Sequence, residues 1–386
     1  MRFVPFAGCS LSVECAHGVR VGRVQFSAPR HNMYNLKEFK EVFDPILKNF
    51  IEQRLKKFSS NSSDNFIKDF IEYSEKLTLA GGKRIRPYIA YVMYAANGGE
   101  DIENALKLFV SLEIFHNFAL IHDDIMDKQY KRHGVDTIPA YVLKKLKEDK
   151  RTGDLENVAN AQGILMGDLF FSWAMELFLG NENFPHKNIS SAHNYFYKMV
   201  DEVCFGQILD IDVTTRENVS DELITEKTRL KTSRYTFVRP MQIGAHLANP
   251  DNKIDNFCED LGTRLGIAFQ MQDDLLDIIG DPKLLEKNIL RDIAEHQHTF
   301  FTNYVFNNGT KEQKDKLLNY FGKELNSGEQ KEIIEIFEKS GAIEKGKEEI
   351  LKNLDGAKEI IENSDLEKDY KDICFSLIKV MESRQH

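Results

Sequence analysis

From Leu36 to Met381 the apolar residues of this chain recur at spacings of three and four, and hardly ever at two. Leu36, Phe39, Val42 and Phe43 open the pattern, Phe66, Phe70 and Tyr73 repeat it, and Leu106, Phe109 and Val110 lead into a long apolar stretch. Ile333, Ile334, Ile336 and Phe337 continue it, followed by Ile350, Leu351 and Leu354, then Ile373, Leu377 and Met381. This period covers one face of an α-helix, whereas a half-buried strand would alternate. Nine prolines in 386 residues leave few enforced breaks. The pattern predicts an all-α fold, a single large helical bundle. A hydrophobic content of 42% gives it enough material for a large core.

The bundle is expected over residues 33–386. Residues 1–32 carry four arginines, no lysine and one glutamate, with no helical period. They read as an atypical N-terminal extension, disordered or not native to the protein. An acid-poor, arginine-bearing stretch also suits a transit peptide, which leaves organellar targeting open. A net charge of -10 speaks against a nucleic-acid partner. The five cysteines (Cys9, Cys15, Cys204, Cys258 and Cys374) are scattered without a CxxC pair, which fits a reducing cytoplasm better than a disulfide framework. No apolar run reaches the roughly 18 residues that span a bilayer. The nearest, Gly163 to Gly180, is interrupted by Asp168 and Glu176 and reads as a core helix, so no transmembrane segment is expected. The charged stretch Lys144 to Val158 reads as an exposed loop or helix extension, and Asn307 to Lys311 as a turn.

Two acidic clusters interrupt the apolar pattern. The first is Asp123-Asp124-Ile125-Met126-Asp127, inside FHNFALIHDDIMD; the second is Asp273-Asp274-Leu275-Leu276-Asp277, inside GIAFQMQDDLLDIIGD. On a helix, the first and fifth positions of such a motif lie about 40° apart on one face. Asp123 with Asp127, and Asp273 with Asp277, could therefore each present two carboxylates in one direction. Acids crowded in an apolar setting are costly without a partner. A hard cation bound by carboxylate, water and phosphate oxygens accounts for the spacing, and magnesium is usually held that way. A single cluster would more often be a solvated helix end; the pair makes the metal reading far stronger.

Basic groups surround the clusters. Gly81-Gly82-Lys83-Arg84-Ile85-Arg86-Pro87 precedes the first; its glycines let backbone approach an anion and its three cations supply charge. Lys131-Arg132-His133-Gly134 follows the first cluster, Lys231-Thr232 lies between the two, and Lys287 and Arg291 follow the second. Such a complement suits a site for two diphosphates, one bound through metal and one directly.

Taken together, GGKRIRP (81–87), LIHDDIMD (120–127), ILMGDLFF (164–171), GQILDID (206–212), KTSRYTFVRP (231–240) and FQMQDDLLD (269–277) resemble the trans-isoprenyl diphosphate synthases, or polyprenyl synthetases. The resemblance covers about residues 33–386. It implies a helical fold around a deep cavity, usually a homodimer, that uses magnesium, three ions per site, to join isopentenyl diphosphate to an allylic diphosphate. Asp123, Asp127 and Asp273 would be direct ligands. Asp124, Asp274 and Asp277 would act nearby, partly through water. Lys83, Arg86 and His116 would hold isopentenyl diphosphate. Arg132, Lys231 and Lys287 would neutralise the allylic diphosphate, and Thr232 and Gln270 would line the reacting centre. By itself a histidine among Phe115, Asn117 and Phe118 is more often a core residue; its place seven residues before Asp123 matches the resemblance.

Two positions depart from that pattern. The second basic residue after the first motif is usually arginine; His133 stands there and titrates near neutrality. Where the family usually has a lysine after the second motif, this chain has Gln297, in Glu295-His296-Gln297.

The implied chemistry needs no protein nucleophile. The carbon–oxygen bond breaks when the departing diphosphate is stabilised, and a dry apolar cavity protects the cation. Product length then depends on cavity depth. In the family a bulky residue before the first motif forms the floor, here Phe118 beside the small Ala119, with Phe115 as a deeper barrier. One aromatic at this place implies geranylgeranyl diphosphate; two would imply farnesyl diphosphate, the alternative product. A class I terpene cyclase is a poorer match, because it would need neither GGKRIRP nor a second DDxxD. A non-catalytic synthase subunit would be expected to have lost acidic ligands, and all six are present.

Overall fold

The computed structural model describes residues 34–59, 63–132, 134–251, 253–280 and 289–382. The stretch 1–32, His133 and Lys287 lie outside the described residues. The expected α-helical architecture is found, with one minimal exception. The pair Lys131–Arg132 (β1) and Val135–Asp136 (β2) is antiparallel, Arg132 facing Val135.

Ten helices of the first two thirds carry the site: α1 (Leu36–Ser59), α2 (Asn65–Leu79), α3 (Ile85–Ala96), α4 (Ile102–Met126), α5 (Ile138–Glu148), α6 (Leu155–Leu179), α7 (His186–Val213), α8 (Asp221–Thr228), α9 (Arg239–Ala248) and α10 (Asp255–Ile279). Among the described residues, the short helix Arg291–Ala294 and then five further helices follow: Phe300–Asn308, Lys311–Tyr320, Ser327–Lys339, Ala342–Glu362 and Lys368–Glu382. The turn expected at 307–311 separates the first two of these five, with Thr310 closing a capping box on Gln313.

Helix α4 is apolar all round, as a helix enclosed by others must be, and it packs along α6. Among the described residues it is also the helix that is long and apolar enough to cross a membrane, rather than the stretch 163–180; 61% of its most apolar window is buried inside the fold. Phe39, Phe43, Phe109, Phe115, Phe170 and Phe196 form one core among α1, α4, α6 and α7. A second core gathers Leu261, Leu265, Phe301, Phe337, Ile350 and Leu354 around α10 and the C-terminal helices.

Between α8 and α9 the helix does not end. Arg229–Val238 continues it with the wider π spacing, so that 221–248 is one unbroken helix. Runs of π-helix are rare and concentrate at functional sites. This one is gripped from two sides. A Cβ on Gly206 of α7 would lie 2.5 Å from the Lys231 nitrogen, and one on Gly266 of α10 would lie 2.2 Å from the Ser233 Cα. The two glycines therefore let α7 and α10 press directly on the backbone that carries Lys231 and Thr232.

Candidate active site

Both acidic motifs occupy the last turns of long helices. Asp123 to Met126 close α4, Asp127 caps it, and Asp273 to Asp277 lie near the end of α10. That is the negative end of the helix dipole, where carboxylates are disfavoured and cations favoured. Burial adds to the cost. Asp127 is pushed up to about 7, first by burial and then by the charge of Asp123. Asp274 is also raised to about 7 by burial, with Asp273 and Asp277 adding to the effect. Asp124 reaches about 6 by burial, although Arg132 opposes the shift. Asp292 is pushed up as well, by burial and then by Asp277 and Asp274.

These shifts set a pH dependence. A carboxyl whose folded pKa lies above its unfolded value favours folding most below the unfolded value, and that contribution is lost as pH rises through the folded value. For these groups the window runs from 3.8 to about 7. In chelator, the protein is expected to melt at a lower temperature at pH 8 than at pH 5. A higher melting temperature at pH 8 would contradict the crowding of these acids.

Two cavities meet at the motifs. One, of about 500 Å³, is lined by Asp123 and Asp273, by Arg86, His116, Phe118, Ala119, Lys231, Thr232, Tyr235 and Gln270, and by the apolar side chains of α7. The other, of about 170 Å³, is polar and takes in Asp127, Asp210, Lys227, Lys231, Thr232, Gln270, Asp274, Asp292, Glu295 and Gln297. The helix that the π segment widens thus places Lys231 and Thr232 in both.

The six aspartates divide by what holds them. Asp124 is buried against Arg132, whose Nε donates to it at 2.8 Å. Asp274 accepts from Gln270 Nε2 at 2.8 Å, and Gln270 in turn accepts from the Thr232 hydroxyl at 2.6 Å. Asp277 departs from the spacing argument that paired it with Asp273. Its carboxylate accepts the backbone N–H groups of Arg291 and Asp292, each at 3.1 Å, and so caps the short helix Arg291–Ala294. Asp123 accepts from Gln207 Nε2 at 3.2 Å and lies 3.4 Å from Arg132 and 3.6 Å from Lys231.

Among the described residues no three acid, histidine or cysteine side chains form a ready-made metal cage. The donor set nevertheless fits a hard divalent ion of the kind that keeps waters and borrows phosphate oxygens. It is all carboxylate, and Asp127 and Asp274 are raised to about 7, first by burial and then by neighbouring carboxylates whose repulsion a cation would relieve.

The basic groups separate as well. Arg84, expected to help draw an anion, turns inward instead: it pairs with Glu113 at 2.6 Å and Asp44 at 2.8 Å and is itself buried. Its left-handed backbone follows Gly81 and Gly82, also at positive φ, and the tight turn leaves Lys83 exposed. Arg86 stacks 4.0 Å over the Tyr235 ring and donates to Thr236 at 2.8 Å, while its Nε is buried without a hydrogen-bond partner. His116 is hydrogen-bonded through Nδ1 to the Tyr235 hydroxyl at 2.9 Å. His116, Gly82 and Arg132 also share a small cleft beside the first motif.

Sequence reasoning passed over Asp210, Lys227, Gln207 and Tyr235. Asp210 lies under Lys231 Nζ at 2.5 Å. Burial works to lower the Lys231 pKa, but Asp210 and Asp123 outweigh it and hold the ammonium above its ordinary value. The available signal was the repeated Lys-Thr of KTRLKT: lysines four apart on a helix face share a neighbour.

Comparison with known proteins agrees with this geometry. A profile of the polyprenyl synthetase family matches residues 67–337. The short chain isoprenyl diphosphate synthase of Methanothermobacter thermautotrophicus is 31% identical over 84% of this chain and 94% of its own. The geranylgeranyl diphosphate synthase of Methanosarcina mazei is 33% identical over 65% of this chain and 69% of its own. The crystal structure of geranylgeranyl pyrophosphate synthase from Corynebacterium glutamicum, complexed with isoprenyl diphosphate and magnesium, superposes with a TM-score of 0.84 at 27% identity, covering 91% of this chain and all of that one. Two acid-ended helices facing one cavity, in a chain that matches this profile over most of its length, place the protein in the polyprenyl synthetase family.

Proposed function

We propose that this enzyme condenses isopentenyl diphosphate with an allylic diphosphate, head to tail and with magnesium, and that its main product is geranylgeranyl diphosphate. The observation that carries the reading is the pairing of a carboxylate-lined polar cavity with an apolar one, the two sharing Lys231, Thr232 and Gln270 in their walls. Several relatives bear the geranylgeranyl name.

Magnesium, bound by Asp123, Asp127 and Asp273 with three ions per site, would neutralise the departing diphosphate and polarise its bridging oxygen. The chain's own residues do the rest. Lys231 adds a fixed positive charge beside Asp123. Arg132 and Gln207 orient that carboxylate, and Gln270 orients Asp274. Arg86, with a buried Nε in want of an acceptor, and His116 suit the second diphosphate, together with Lys83 on the exposed turn. His133 and Lys287 would complete the basic set. Phe269, Tyr235 and Phe118 keep water from the developing cation.

Product length tests the reading. Phe118 and Ala119 line the cavity; Phe115 does not, but lies fully buried behind, its ring 5.2 Å from that of Phe118 and against Phe171 and Phe196. Ala119→Phe is expected to shift the product toward farnesyl diphosphate. Phe118→Ala is expected to lengthen it until Phe115 stops the chain. Mass analysis of dephosphorylated products reads the result; a wild-type distribution from both variants would remove Phe118 as the floor.

The same reading makes the enzyme a homodimer. Leu165 of α6 and Phe205 of α7 are each 62% exposed, large apolar side chains that a second copy of the chain would cover. Sedimentation at the mass of one chain would exclude it. The described cysteines Cys204, Cys258 and Cys374 are free, which suits a reducing compartment such as the cytoplasm.

A further inference from the structure

Four residues before Lys231, on the same unbroken helix and on the wall of the same polar cavity, lies Lys227. Its side chain is only 10% exposed. The ammonium donates to Asp210 Oδ1 at 3.0 Å, to the His298 carbonyl at 3.1 Å and to Gln297 Oε1 at 3.3 Å. Burying a lysine is expensive and calls for a reason beyond filling space.

Charge bookkeeping around Asp210 supplies one. This carboxylate takes Lys231 on Oδ2 at 2.5 Å and Lys227 on Oδ1. With Lys231 alone the pair would be neutral, and its field would do little for an anion in the cavity. With both lysines, two ammoniums share this carboxylate, and the Asp210 group by itself carries one positive charge to set against the acids around it, among them Asp123 at 3.6 Å from Lys231. That charge faces a space also walled by Asp127 and Asp274, where metal and diphosphate would meet. At position 297 the neutral amide of Gln297 faces Lys227, and among the described residues that line this cavity the lysines are Lys227 and Lys231.

We infer that Lys227 is a further diphosphate-binding residue: by sharing Asp210 with Lys231 it adds a second ammonium to a cavity otherwise walled by carboxylates, and it supplies the cation that position 297 lacks. The inference rests on the condensation proposed above, because it takes the anion in this cavity to be the allylic diphosphate and its leaving group.

Inhibition by inorganic diphosphate in the presence of magnesium reads the site without a prenyl tail, alongside KM for each substrate. Lys227→Met is expected to weaken inorganic diphosphate inhibition and raise KM for the allylic substrate by about tenfold, the loss of one charged hydrogen bond, and to leave KM for isopentenyl diphosphate unchanged. Adding Gln297→Lys to that variant is expected to restore the affinity, and Lys227→Arg to retain it. Should Lys227→Met not fold, Lys227→Gln keeps a donor for the His298 carbonyl but no charge and carries the same expectation. Unchanged inhibition in the neutral variants would overturn the inference. So would equal losses for both substrates that Gln297→Lys does not rescue, since Lys227 would then merely tie down the loop. If the wild-type enzyme itself ignores inorganic diphosphate, it is the proposed function that fails, and this inference with it.

Discussion

Asp123→Ala is expected to lower kcat by about 10³ or more, the scale of losing one preorganised electrostatic contact, with the helices intact. Asp123 is the aspartate of the first motif on which the most groups converge. Gln207 donates to it, Arg132 and Lys231 stand within 4 Å, and it lines the apolar cavity beside Asp273. Removing it leaves Lys231 on Asp210 alone and takes one carboxylate from the mouth where the departing diphosphate must be stabilised. The fold should not suffer, because a charge that opposes the α4 dipole is deleted. Asp273→Ala is expected to behave alike from the facing helix. Steady-state kinetics with circular dichroism checks both, and near-wild-type condensation in either variant would end the metal-bridge reading.

Gly206→Ala should cost nearly as much, although no reacting atom lies near the new methyl group. That methyl would stand 2.5 Å from the Lys231 nitrogen and 2.8 Å from its Cα. Both are backbone atoms inside a helix, so the contact cannot be relieved by rotating a side chain. Either α7 or the π segment must move. Overpacking of this kind costs about 1–3 kcal/mol, and a displacement near 1 Å of a catalytic group costs about 10² in rate. The expected result is a lowered melting temperature together with a drop in kcat, KM for isopentenyl diphosphate being less affected. Activity within about twofold of wild type would show that Lys231 tolerates the shift, and the argument from close packing would fail.

How far the site could be read from the chain depends on how local each interaction is. The helical period and the two motifs are local, and so were legible; Asp123, Asp127 and Asp273 line the two cavities. Spacing could say that Asp273 and Asp277 share a helix face. It could not say that the backbone of Arg291 and Asp292 would claim Asp277. In the same way, Arg84 looked like one of three equivalent cations until Glu113, 29 residues away in sequence, took it into the core. Asp210 stood in the quoted motif GQILDID without a role, because its role comes from two lysines on another helix. The π segment was illegible for a different reason: nothing in RLKTSRYTFV announces a wider turn, and the close approach of α7 and α10 at Gly206 and Gly266 comes from residues distant in sequence.

That segment makes length, more than side-chain identity, the quantity the chain must preserve here. The helix is pinned at its start by the Ser220 side chain capping Leu223, and near its end by Asn188, which donates to the carbonyls of Leu247 and Ala248. Between fixed ends, wider turns accommodate residues that a regular helix would have to wind further round. Deleting one residue from 229–238 would let the wider turns tighten toward the regular α spacing while both ends stay pinned. Inside the segment Lys231 and Tyr235 would change phase relative to each other, whereas beyond it the Arg239–Glu202 ion pair at 2.5 Å would keep its register. The stretch works as a spacer that keeps two ends of one rod in step while it sets the angle between the side chains it carries.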